Sequence, residues 1–206
     1  MYANSGQREM GGIDGIAAIA DRQIGPTCGL EAVENIVQLF VPARNDLSRT
    51  TLEPMASRAG YLVWGVYGPE LVSYALQPLL ASFGISTQWA SLDHQHLVDA
   101  LAQNRVAIAV VDAHYLDSNV YPFRKSWHAI LITNYVTDPT GRTVVMYAGI
   151  DSNYGGQVLC WPLETLDIAA RAAGQAPLLI TDEATHFGRH NVHYFRHVDG
   201  TVYRHR

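Results

Sequence analysis

Along residues 28 to 40 the apolar side chains Leu30, Val33, Ile36, Val37 and Phe40 return every three or four positions. Glu31, Glu34, Asn35 and Gln38 fall mostly on the other face. That period predicts an amphipathic helix buried on one side, with Thr27 as its N-cap and Pro42 as its stop. Further helical patterns cover 51 to 59, closed by Gly60, and 69 to 83. In the second of these Pro69 suits the first turn, Pro78 a kink and Gly84 the end. A fourth covers 92 to 103, with Leu97, Val98 and Leu101 facing inward.

Beyond residue 105 the pattern changes. Val106 to Val111 is a continuous apolar run of strand length, and 127 to 136, 143 to 150 and 157 to 161 read as further strands. Turn signals at Asp138-Pro139-Thr140-Gly141 and Gly155-Gly156 separate them. Residues 163 to 173 read as a surface helix, and the C-terminus as a hairpin turning at Asp199-Gly200. Helices first and strands afterwards predict an α+β fold of two lobes with a cleft between them. Residues 1 to 22, rich in glycine and alanine, read as a flexible lead-in to one domain over 23 to 206.

Composition narrows the class. Of 206 residues, 48% are hydrophobic and 16% charged, enough for a sizeable core and ordinary for a globular chain. A net charge of −5 speaks against a nucleic-acid binder, which would carry a basic stripe. No apolar run approaches the roughly 18 residues of a membrane span, and the start lacks the basic-then-apolar pattern of a secretory signal. The expected location is the cytoplasm, or a host cell reached without a cleaved signal. Lys125 is the only lysine among 14 basic residues. A GC-rich genome accounts for that; so does a bacterial effector or toxin that avoids lysine-directed modification in a foreign cytosol.

Two cysteines, Cys28 and Cys160, are too few for a disulfide framework. Cys160, inside an apolar strand, reads as a small buried hydrophobe. Cys28 is different, because it stands where a Gly-Pro loop turns into a helix. A helix start offers unpaired N–H groups and a partial positive charge, which favour the nucleophilic thiolate. Gln23, five residues earlier, offers an amide donor for an oxyanion.

Such a nucleophile needs a base, and the base an orienting acceptor. Of nine histidines, His128 stands at the start of the strand WHAILITNYV. The Asp138–Gly141 turn makes the next strand antiparallel, so its end returns Asp151 towards His128. Asn153 and Asp138 are weaker alternatives to Asp151. Asp112 and His114, after the Val106 strand, read as solvated strand-end residues. The tryptophans read as core, with Trp127 also suited to shielding His128 from water. His186, His190 and His193 would share a helix face as metal ligands, but a solvated histidine-rich tail is the simpler expectation, so no metal or cofactor is called for.

QIGPTCGLEA, with a later strand-opening histidine and an aspartate on the next strand, resembles the papain-like cysteine peptidases. The nearest branches are the bacteriocin-processing (double-glycine) peptidase-like and actin maturation protease-like proteins. The likeness runs over residues 23 to 166, with Gly60-Tyr61 a fainter echo, and 175 to 206 have no counterpart. It implies a papain-like two-lobed fold, a helical lobe followed by an antiparallel sheet lobe. It also implies the order Gln23, Cys28, His128, Asp151, with Gln23 at the oxyanion and Asp151 orienting His128. The expected activity is hydrolysis of a peptide or isopeptide bond in a protein or peptide substrate. Acyl transfer by the same triad, an inactive binding domain and a metal-dependent protein built on the tail histidines are the alternatives.

Overall fold

A computed structural model of the chain describes residues 10–12, 27–41, 47, 49–59, 69–137, 145–150, 158–174, 178–182, 194–197 and 202–204. It is mixed helix and mainly antiparallel sheet, an α+β architecture. The helices are α1 (Cys28–Phe40), α2 (Arg49–Arg58), α3 (Pro69–Ala81), α4 (His94–Ala102) and α5 (Leu163–Ala172). The strands are β1 (Met10–Gly12), β2 (Thr87–Ala90), β3 (Ala107–Asp112), β4 (Trp127–Thr137), β5 (Val145–Ile150), β6 (Val158–Pro162), β7 (Leu178–Thr181), β8 (Tyr194–His197) and β9 (Val202–Arg204). They form one sheet in the order β2-β7-β3-β4-β5-β6-β8-β9, and β1 adds to β4 beyond the first residue of β3. Only β6 and β8 pair in parallel among the described strands.

Each face of the sheet carries its own core. Alternate residues of β3 and β4 (Ile108, Val110, Ala129 and Leu131) meet Leu30, Val33, Ile36 and Val37 of α1 and the apolar sides of α2 and α3. The intervening residues, Ala107, Ala109, Val111, Ile130 and Ile132, meet Leu97 and Leu101 of α4 and Leu166 and Ala169 of α5. The six residues of β3 are all buried, which is why the first five, Ala107 to Val111, are apolar without alternation.

Helix ends follow their residues. Gly84, at φ +77°, closes α3: its N–H bonds to the Ala81 carbonyl while Ile85 N–H reaches Leu80. Asn104, at φ +60°, closes α4 in the same way through Leu101 and Ala100. Pro78 stays inside α3, which runs through it.

Three expectations are corrected. The order is not helices then strands, because β2 and β7 lie beside β3 and interleave with α3, α4 and α5. The helix at 28–40 is not buried on one side only: Glu31, Glu34 and Asn35, assigned to an outer polar face, are 7%, 8% and 3% exposed. Trp127 is not core but 41% exposed, whereas Trp161 is buried and Trp89 half-buried. Trp64 lies outside the described residues, as do Gly60-Tyr61, Gly155-Gly156 and the Asp138–Gly141 turn.

Candidate active site

The start of α1 faces the start of β4. Leu30, Val33 and Ile36 anchor the helix on Ala129 and Leu131, so its first turn reaches the sheet where β4 begins. Thr27 occupies the N-cap position and is fully buried, but its hydroxyl makes no capping bond; it donates to Glu31 Oε1 at 3.4 Å. Thr27 therefore does not cap the first helical amides, and one of them, Gly29 N–H, is turned to Cys28 Sγ.

Cys28 is a free thiol, half-buried against the α1 core. Its Sγ also accepts the Ala129 N–H at 3.3 Å, across 101 residues of chain. The neighbouring residue, His128, is 4% exposed and hydrogen-bonded to the Cys28 side chain. Burial works against ionising the sulfur. The His128 imidazole, by its charge and its hydrogen bond, and the Ala129 and Gly29 N–H groups outweigh that, so the thiol lies below its ordinary range. The pair predicted from chain order is brought together.

The Tyr121 ring also lies against His128, its centroid 5.5 Å from that of the imidazole and its plane tilted by 41°. Tyr121 belongs to the connection between β3 and β4, and the sequence did not single it out. His114, expected to be solvated, is half-buried on the same connection, with Nδ1 2.9 Å from the Tyr121 carbonyl oxygen. Asp112 corrects its expectation outright. It is 2% exposed and accepts three backbone N–H groups, because its strand end is roofed by the returning chain.

Gln23, Asp151 and Asn153 lie outside the described residues, as does Asp138. β5 runs antiparallel to β4 and pairs Ile150 with Leu131, so its last residue stands three positions along β4 from His128. Cys160 lies in β6, its backbone opposite Ala148 and His197.

No protein-family model matches the chain, and no curated protein matches it. The described residues hold no group of three or more His, Cys, Asp or Glu side chains arranged for a metal ion; His186, His190 and His193 are not among them. No helix among the described residues is long and apolar enough to cross a membrane. What the site offers is an acidified thiol at a helix start, an imidazole in hydrogen-bond contact with it, and two backbone N–H donors on the sulfur.

Proposed function

We propose that this chain is a papain-like cysteine peptidase that cleaves a peptide or isopeptide bond through a thioester. One observation carries the reading: Cys28 Sγ, at the first turn of α1, is held against His128 and two backbone N–H groups and is more acidic than an ordinary thiol. A buried structural cysteine would have its ionisation raised by burial with nothing to oppose it.

In the proposed reaction the Cys28 thiolate attacks the substrate carbonyl carbon, and the π electrons move to the oxygen. Gln23 and the Cys28 N–H are assigned to that oxyanion by the resemblance. As the C–N bond breaks, the His128 imidazolium gives its proton to the leaving amine. Neutral His128 then takes a proton from water as the water attacks the thioester; the C–S bond breaks, releasing the acid and restoring the Cys28 thiolate and the His128 imidazolium. Asp151, one residue beyond β5, is assigned to orienting His128. The reading includes a papain-like arrangement in which α1–α3 form the helical lobe and the sheet the other. The substrate class is protein or peptide, acting in the cytoplasm of the producing or a host cell.

The test is covalent capture. Peptide-based and ubiquitin-like acyl electrophiles, resolved by mass spectrometry, should leave an adduct on Cys28 in the wild-type chain and none in Cys28→Ala. A peptide library should be cleaved by wild type, with His128→Ala slower by about 10²–10⁴-fold. A folded wild-type protein that forms no adduct with any of these electrophiles overturns the reading.

A further inference from the structure

The β3–β4 connection, residues 113–126, has one buried carboxylate at its base, and the peptidase chemistry above gives it no role. We propose that Asp112 is a positioning residue for His128, acting through the backbone of this connection. The inference rests on the Cys28–His128 reading and adds a residue to it.

Asp112 is the last residue of β3, paired with Trp127, one step from the Val111–His128 pair. Its Oδ2 accepts Lys125 N–H at 2.8 Å, and its Oδ1 accepts Ser126 N–H at 3.1 Å and His114 N–H at 3.3 Å. A carboxylate taken out of water to 2% exposure needs such donors, and here the chain on both sides of the connection supplies them. Ala113 N–H closes the ring on the Ser126 carbonyl at 2.9 Å.

The donors are arranged at a cost. Lys125 has φ +64°, in the left-handed region that a residue with a Cβ avoids. The other non-glycine residue at positive φ among those described is Asn104, whose helix-ending role accounts for it. At Lys125 the conformation turns two successive N–H groups, of 125 and 126, onto one carboxylate, a backbone nest for an anion. Asp112 is that anion.

Two routes lead from this nest to the imidazole. Ser126 is two residues from His128, so fixing Ser126 N–H fixes where β4 begins. His114, whose N–H is also held, contacts the Tyr121 carbonyl through Nδ1, and the Tyr121 ring lies against His128. The remaining titratable groups of the connection, Tyr115, Asp117, Arg124 and Lys125, have exposed or half-exposed side chains; Asp117 accepts the Asn119 and Val120 N–H groups in a separate turn.

The experiment is the pH profile of Cys28 alkylation by iodoacetamide in the full chain, with circular dichroism as the folding control. Asp112→Asn puts an amide N–H where one of the donors must bind. At about pH 6, below the ordinary thiol range, its rate should fall about tenfold, and it should converge with wild type where every thiol is ionised. Lys125→Val opposes the same nest from its other side while keeping Asp112, and should shift the profile in the same direction; Lys125→Gly should leave it unchanged. His128→Ala marks the profile of a thiol without its imidazole. A folded Asp112→Asn or Lys125→Val protein with the wild-type profile, alongside a shifted His128→Ala, overturns the role of Asp112 and leaves the pair standing. A His128→Ala profile equal to wild type removes the pair itself.

Discussion

Two opposing influences meet at the sulfur of Cys28, and their balance sets how readily it ionises. Burial favours the thiol; His128 and the Ala129 and Gly29 N–H groups favour the thiolate, and they win. Removing the imidazole leaves burial less opposed, so His128→Ala should raise the thiol's ionisation range. Reactivity with a small disulfide at neutral pH should then drop, which release of a coloured thiol measures. The Lys125 backbone gives a second prediction, this time about stability. Glycine accepts the left-handed conformation and a β-branched residue resists it, so the unfolding free energy should be at or above wild type in Lys125→Gly and below it by about 1–2 kcal/mol in Lys125→Val, with the thermal midpoints in the same order. Asp112→Ala should cost about 2–4 kcal/mol in urea unfolding, since it strands three N–H groups at a buried position. The Cys28–His128 pairing was legible in the chain because each residue announces itself locally, one at a helix start and one at a strand start. The proposed role of Asp112 was not, because two of its three donors lie 13 and 14 residues downstream and only the folded return of the connection brings them back.

Helices and strands were legible where their residues repeat or run without interruption. The apolar period of α1, the continuous run of β3 and the long strand β4 are found where the sequence puts them, within a residue or two. β2 and β7 were not, being four residues each, too short for a period to show. Their order beside β3 is set by pairing partners far apart in the chain. Periodicity also misjudged the outer face of α1. It reports which side is more apolar, and says nothing of whether the polar side is covered; Glu31, for one, is buried and accepts the Thr27 hydroxyl. The two faces of the sheet should separate stability from chemistry. Leu30→Ala in α1 and Leu166→Ala in α5 each remove a side chain at most 1% exposed and should each cost about 2–5 kcal/mol in urea unfolding. Only Leu30→Ala, two residues from Cys28, should also alter alkylation of the thiol in the folded state.

For the whole molecule, the sheet acts as a plate that brings together residues from distant parts of the chain. Cys28 and Ala129 are 101 residues apart in sequence and in contact through the sulfur. The helical layer presses the start of α1 onto β4 from one face, while α4 and α5 back the sheet from the other. The proposed nucleophile and the proposed base are thus carried by different layers, the helical one and the sheet. The most direct test is the ultraviolet titration of the Cys28 thiolate, taken as the difference between wild type and Cys28→Ala. A Cys28–His128 pair of this kind predicts a thiolate that persists well below the ordinary thiol range of about 8.5, and a midpoint that moves upward in His128→Ala. A wild-type midpoint at or above that range, unmoved by His128→Ala, would contradict it.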